Sequence, residues 1–197
     1  MHFELNDEQT LIQETAMKFA ENKLRPIAAS FEKPENRGAY LKQLQGLSSL
    51  GFMGLNVDSN YGGSEAGVIA FSIALTEIGK ACASTGVAMS VNNLVAEVIQ
   101  IIGTREQKET YIPRICSGEY VCGAFCLSEA EAGSDPSRLK TRAVETDEGW
   151  ELNGSKMWIS NAEYAGLFVV WAVTDSDARP GKGISCFIVE GENPGVS

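Results

Sequence analysis

The chain has 197 residues, 44% of them apolar and 21% charged, which is ample to bury the core of one or two ordinary globular domains. Its 16 basic and 26 acidic residues leave a net charge of −10, which excludes nucleic acid and anionic membrane as primary partners because both reward basic patches. The lone histidine, His2, excludes a histidine-based triad or a multi-histidine metal site, while phosphate-bearing ligands stay open because helix ends and loop amides bind them without net positive charge. The five cysteines (Cys82, Cys116, Cys122, Cys126 and Cys186) are odd in number and lack CxxC spacing, so they read as reduced thiols in a cytosolic-type compartment. Met1-His2-Phe3 leads straight into a helix signal, so no cleavable leader is expected, and no uninterrupted apolar run reaches bilayer length.

Taken in chain order, Asn6 and Gln9 form a capping box, after which Leu11, Ile12, Ala16, Phe19 and Ala20 recur at helical spacing up to Pro26. Leu41, Leu44, Leu47 and Leu50 predict a second amphipathic helix closed by Gly51. A turn-rich loop with Tyr61-Gly62-Gly63 separates it from two far less polar helices, over 68–82 and 84–102, that read as bundle interior. Thr104 and Gln107 cap a fifth helix that is expected to break between Pro113 and Gly118. The pattern then changes to strands at 121–127, 139–144, 167–173 and 184–189. Asp147-Glu148-Gly149 reads as a turn, and Asn153-Gly154 carries a strong hairpin signal that predicts a pairing of 150–152 with 157–159. The change of character predicts an all-α domain over 1–119 and a β domain over 120–197, and Pro194-Gly195-Val196-Ser197 makes that β domain read as incomplete.

Two stretches carry the candidate chemistry. Phe125-Cys126-Leu127-Ser128-Glu129-Ala130-Glu131-Ala132-Gly133-Ser134-Asp135 runs from a strand into a small acidic loop, with Ser128 offering a hydroxyl at the strand end and Gly133 removing a Cβ that would block a ligand. Lys156-Met157-Trp158-Ile159-Ser160-Asn161 repeats the idea with an indole and a second hydroxyl. Glu129, Glu131 and Asp135 read as loop hydrogen bonding and solvation rather than as an acid–base pair or metal ligands. Cys126 reads as core filling, and Met89, Val91 and Leu94 as helix core.

These stretches resemble the flavin-dependent acyl-CoA dehydrogenases. Ser128-Glu129-Ala130-Glu131-Ala132-Gly133-Ser134-Asp135 resembles that family's middle-domain signature, Trp158-Ile159-Ser160 its Trp-Ile-Thr/Ser segment, and Tyr61-Gly62-Gly63 its Tyr-Gly-Gly loop. Ser90-Val91-Asn92-Asn93 and Ser160-Asn161-Ala162 look most like the short-chain, butyryl-type branch. Arg138 stands where the family has a small residue, and Ala130 replaces its usual proline.

The resemblance implies an α+β fold, an N-terminal helical bundle followed by a β-barrel or sandwich-like middle domain, with the family's C-terminal helical bundle absent from this chain. It implies FAD as cofactor and α,β-desaturation of an acyl-CoA thioester. A glutamate in the C-terminal bundle takes the α-proton, so no catalytic residue is expected in this chain, and no metal site. The residues it assigns to FAD are Phe125, Cys126, Leu127, Ser128, Gly133, Ser134, Trp158, Ile159 and Ser160. By resemblance, Ser128 and Ser160 hydrogen-bond the ring, Trp158 packs on its face, and Gly133 and Ser134 line the pyrophosphate, with Ser134 also near the substrate's CoA chain. Electron-transfer flavoprotein is the implied electron acceptor, the full-length form a homo-oligomer, and the compartment the cytoplasm, or the mitochondrial matrix after leader removal. Two other readings stay open, an acyl-CoA oxidase and a non-catalytic half that binds a partner chain.

Overall fold

Both predicted capping boxes are present in the computed structural model, which describes residues 4–197, so His2 lies outside the described residues. Asn6 starts α1 (Asp7–Phe19) by accepting from the Gln9 N–H at 2.8 Å, while the Gln9 side chain accepts from Asn6 N–H at 3.2 Å. Each such cap satisfies helix-end donors that would otherwise be unpaired and contributes about 1 kcal/mol. The helix widens into a π turn over Ala20–Leu24 before Pro26, and α2 (Arg37–Ser49) ends at Gly51, whose φ of +77° places it in the left-handed region. Helices α3 (Gly67–Ala81), α4 (Ala83–Ile102) and α5 (Arg105–Ser117) complete the first of two compact units, Met1–Cys122.

α5 ends at the far limit of the expected span. It runs through the proline and stops at Gly118, φ +79°. One lost N–H bond is outweighed because Ile112, Ile115 and Cys116 are all buried on that helix.

Helix α4 is the keystone of this unit. Its 20 residues are apolar enough by length and composition to cross a bilayer, yet half of that window is buried inside the protein. Asn93, 1% exposed, accepts from Leu55 N–H at 2.8 Å and donates to the carbonyls of Phe52 and Met89, both at 2.9 Å. Asn92 donates to Met53 O at 2.8 Å, and one to two turns further on Glu97 and Gln100 accept from the Asn56 side chain and Asp58 N–H. A polar ladder on a core helix thus supplies the partners that the irregular backbone of residues 52–58 lacks.

The second unit, Gly123–Ser197, is a five-stranded mixed sheet of β1 (Gly123–Cys126), β2 (Arg142–Thr146), β3 (Gly149–Asn153), β4 (Leu167–Val173) and β5 (Ile184–Glu190). β4 is central and mostly buried. It pairs antiparallel with β5 along its whole length and on its other edge parallel with β1, from Gly123↔Leu167 to Cys126↔Val170. β1 then leaves, and β2 joins that same edge only at Arg142↔Val173. The hairpin closes on the expected turn at Asp147-Glu148-Gly149 and not on Asn153-Gly154. β2 and β3 turn at Asp147-Glu148, between Thr146 and Gly149, so residues 157–159 are not a strand. Gly154 instead lies so close to Thr141 that any Cβ there would overlap it, which makes its glycine a packing requirement rather than a turn requirement.

Candidate functional site

The end of β1 and the segment 156–161 lie side by side. Met157 N–H donates to Ser128 O at 2.9 Å, and the next residue but one, Ile159, packs into the core formed by Ala124, Cys126, Ala165 and Phe168. Between those two anchors Trp158 is forced outward. It is 88% exposed and has a φ of +59°, a conformation that a bulky L-residue adopts at a cost on the order of 1–3 kcal/mol. Asn161, φ +68°, closes the segment by donating to Gly123 O at 3.0 Å, back at the start of β1. An exposed indole on a backbone strained in that way is not explained by core packing, because it contributes almost no burial.

The other predicted residues fall around this ledge. Phe125 meets Trp171 edge-on at 6.1 Å, Cys126 is buried in the core, and Leu127 and Ser128 are half-buried at the strand exit. Glu129 and Ala132 exchange backbone hydrogen bonds at 3.1 Å, so the chain turns tightly and leaves Gly133 and Ser134 exposed. No protein atom lies within 4 Å of where a Gly133 side chain would begin. Among the described residues the hydroxyls of Ser128, Ser134 and Ser160 have no hydrogen-bond partner in the protein. Hydrogen bonds join the strand end to residues 156–157, through Met157 N–H to Ser128 O and the Lys156 ammonium to Leu127 O. Ser160 sits at the start of a turn, not in a strand.

The residues that hold this arrangement together were not among the candidates. Lys156 and Glu129 form an ion pair at 2.8 Å with only 10% and 7% of their side chains exposed. The Lys156 ammonium also donates to Leu127 O at 3.2 Å and Trp171 O at 2.7 Å, using all three of its donors. Trp171 falls between the last β1 partner of β4, Val170, and its first β2 partner, Val173, so the ammonium fills the gap in the ladder. Glu129 in turn accepts from Lys140 N–H at 2.6 Å, Thr141 N–H at 3.0 Å and the Thr141 hydroxyl at 2.5 Å. Burial alone would raise its pKa, but these donors and the ammonium outweigh it and hold the carboxyl down at about 2. Glu131 is exposed and ion-paired with Lys140, and Asp135 accepts from Ser137 N–H and hydroxyl to cap a short turn. Among the described residues no cluster of three or more His, Cys, Asp or Glu side chains is placed to hold a metal ion.

A helical unit followed by a mixed sheet that presents this ledge defines a two-unit α+β protein. The acyl-CoA dehydrogenase N-terminal domain matches residues 6–119 and the acyl-CoA dehydrogenase middle domain residues 124–197. The chain belongs to the acyl-CoA dehydrogenase family. The short/branched chain specific acyl-CoA dehydrogenase of Rattus norvegicus mitochondria is 39% identical over 190 residues, covering 96% of this chain and 43% of that protein. The structure of butyryl-CoA dehydrogenase from Megasphaera elsdenii superposes with a TM-score of 0.86 at 33% identity, covering 99% of this chain and 51% of the other. A glutaryl-CoA dehydrogenase from Mycobacterium smegmatis, solved in complex with FADH2, gives a TM-score of 0.85 at 29% identity over 97% and 47% of the two chains. The chain therefore spans about half the length of the relatives it matches.

Proposed function

We propose that this chain forms one wall of an FAD site and takes part in α,β-desaturation of an acyl-CoA thioester. The observation that carries the reading is Trp158, an exposed indole on strained backbone fastened beside the strand-end hydroxyl of Ser128. A flat ring system stacked on that indole gives the segment the contact area that its own fold withholds. The residues present fit the cofactor. Ser128 and Ser160 offer free hydroxyls at the ring edge, backbone at Phe125, Cys126, Leu127 and Ile159 frames the ledge, and the open space at Gly133 and Ser134 suits a pyrophosphate, with Ser134 within reach of the substrate's CoA chain. FAD bound there would supply the electron acceptor for the bond being desaturated. The chain's own part is to orient that ring and keep water from one face.

Glu129 is not the base in this reading. Its oxygens are already occupied by four donors, and a carboxylate titrating near 2 is a poor proton acceptor at neutral pH. Electron-transfer flavoprotein as acceptor, assembly into a homo-oligomer, and residence in the cytoplasm or mitochondrial matrix follow from the family resemblance and belong to the same proposal. Titrating purified chain with FAD, with gel filtration and flavin fluorescence as readouts, tests it. Stoichiometric, quenched flavin is expected. Trp158→Gly should weaken binding by about tenfold or more while leaving the apo chain as stable or up to about 1 kcal/mol more so, since glycine relieves the positive φ and no buried area is lost. Failure of the parent chain to retain any flavin would count against the wall.

A further inference from the structure

We infer that Lys156 and Glu129 are positioning residues for the flavin wall: their buried ion pair is a latch that fixes the Trp158–Ser160 turn against the end of β1 before any ligand arrives. The inference rests on the flavin reading above for what the latch serves, but not for its existence. Three elements converge on one ammonium: the β1 exit through Leu127 O, the β4 centre through Trp171 O, and the acidic loop through Glu129. Lys156 is two residues before Trp158, and Glu129 one residue after Ser128, so each half of the wall carries one half of the pair. Glu129 is itself clamped by Lys140 and Thr141 at the start of β2, which ties the latch to the sheet on its far side.

A buried ion pair is weak as a source of net stability but strong as a source of geometry, because each charge tolerates only one arrangement once water is excluded. The positive φ at Trp158 and Asn161 supplies the reason a latch is needed: the turn is strained and would relax if its first residue were released. Relaxation would move the indole and the Ser160 hydroxyl away from Ser128 together, since the Met157 N–H bond to Ser128 O is the next contact along the chain.

The test uses the full chain and the variants Lys156→Met, Glu129→Gln and Lys156→Arg, with two readouts. The first is amide hydrogen exchange at Met157 without ligand; the second is FAD affinity with the visible band shape of bound flavin. Exchange at Met157 is expected to quicken at least tenfold in Lys156→Met and Glu129→Gln, with FAD affinity falling at least tenfold and the band losing its resolved shoulder. Lys156→Arg, which keeps the charge, should recover part of both. Unchanged Met157 exchange in a folded Lys156→Met chain overturns the latch, whether or not FAD binds. Should the parent bind no FAD, the exchange readout decides alone, so failure of the flavin reading is told apart from failure of the latch. Loss of folding in all three variants would make the pair a stability element and overturn the positioning role.

Discussion

Glu129 illustrates how much one side chain's behaviour depends on partners far away in sequence. Its ammonium partner is 27 residues on and its amide and hydroxyl donors 11 and 12 residues on, so neither periodicity nor local spacing marks it out from Glu131 and Asp135. The sequence reading of these three carboxylates as loop hydrogen bonding suits the two exposed ones; burial sets Glu129 apart. The same geometry gives a pH signature. The folded-state pKa of about 2 lies below the unbound value of 4.5, so the stabilisation is complete above pH 4.5 and is lost as the pH falls from there towards 2. The shift corresponds to about 3 kcal/mol. Guanidinium unfolding of the parent and of Glu129→Gln at a series of pH values checks it. The parent should lose stability steeply between pH 4.5 and 2, and the variant, which cannot titrate there, should have a shallower slope; parallel acid limbs would sink the claim.

At the scale of elements, regular structure was legible where the code is local and illegible where it is not. Both capping boxes, the glycine stop after α2 and the span of β4 follow from contiguous residues. The Asn153-Gly154 signal misled because Asp147-Glu148 offers a competing two-residue turn and Thr141 already occupies the space beside Gly154. The Asn92-Asn93 pair was visible only as a likeness to a branch of the family, whereas its work is to tie down residues 52–55, 38 to 41 positions away. Asn93→Ala should therefore destabilise the helical unit by about 2–4 kcal/mol, because a buried N–H and a buried carbonyl lose their partner together and each costs about 1–3 kcal/mol when left unpaired. Asn93→Asp should fare no better, since a carboxylate can accept from Leu55 N–H but cannot donate to Phe52 O. Denaturant titration followed by far-ultraviolet circular dichroism measures both, and a loss below about 0.5 kcal/mol in either would refute the account.

For the whole molecule, the division into Met1–Cys122 and Gly123–Ser197 gives each unit its own thiols as built-in reporters. Cys82, Cys116 and Cys122 are buried in the first; in the second Cys126 is buried and Cys186 half-buried, and none is in a disulfide. Burial pushes the thiols of Cys116, Cys126 and Cys186 up to about 11 and that of Cys122 to about 12. Since the thiolate is the nucleophile, a thiol near 11 at pH 8 reacts roughly 100-fold more slowly than an ordinary one near 8.5, before steric shielding is counted. In native chain treated with an aromatic disulfide reagent at pH 8, Cys116, Cys122, Cys126 and Cys186 should thus each label at no more than about 1% of their rate in urea-unfolded chain. Of these four, Cys186, the most accessible, should be modified first. Peptide mapping of the modified positions then separates the units: denaturant that opens one releases its cysteines as a group, Cys82, Cys116 and Cys122 together or Cys126 with Cys186. Rapid stoichiometric labelling of Cys126 in the native chain would mean that the start of the sheet opens freely, and a strand that opens freely cannot hold Trp158 in a strained turn.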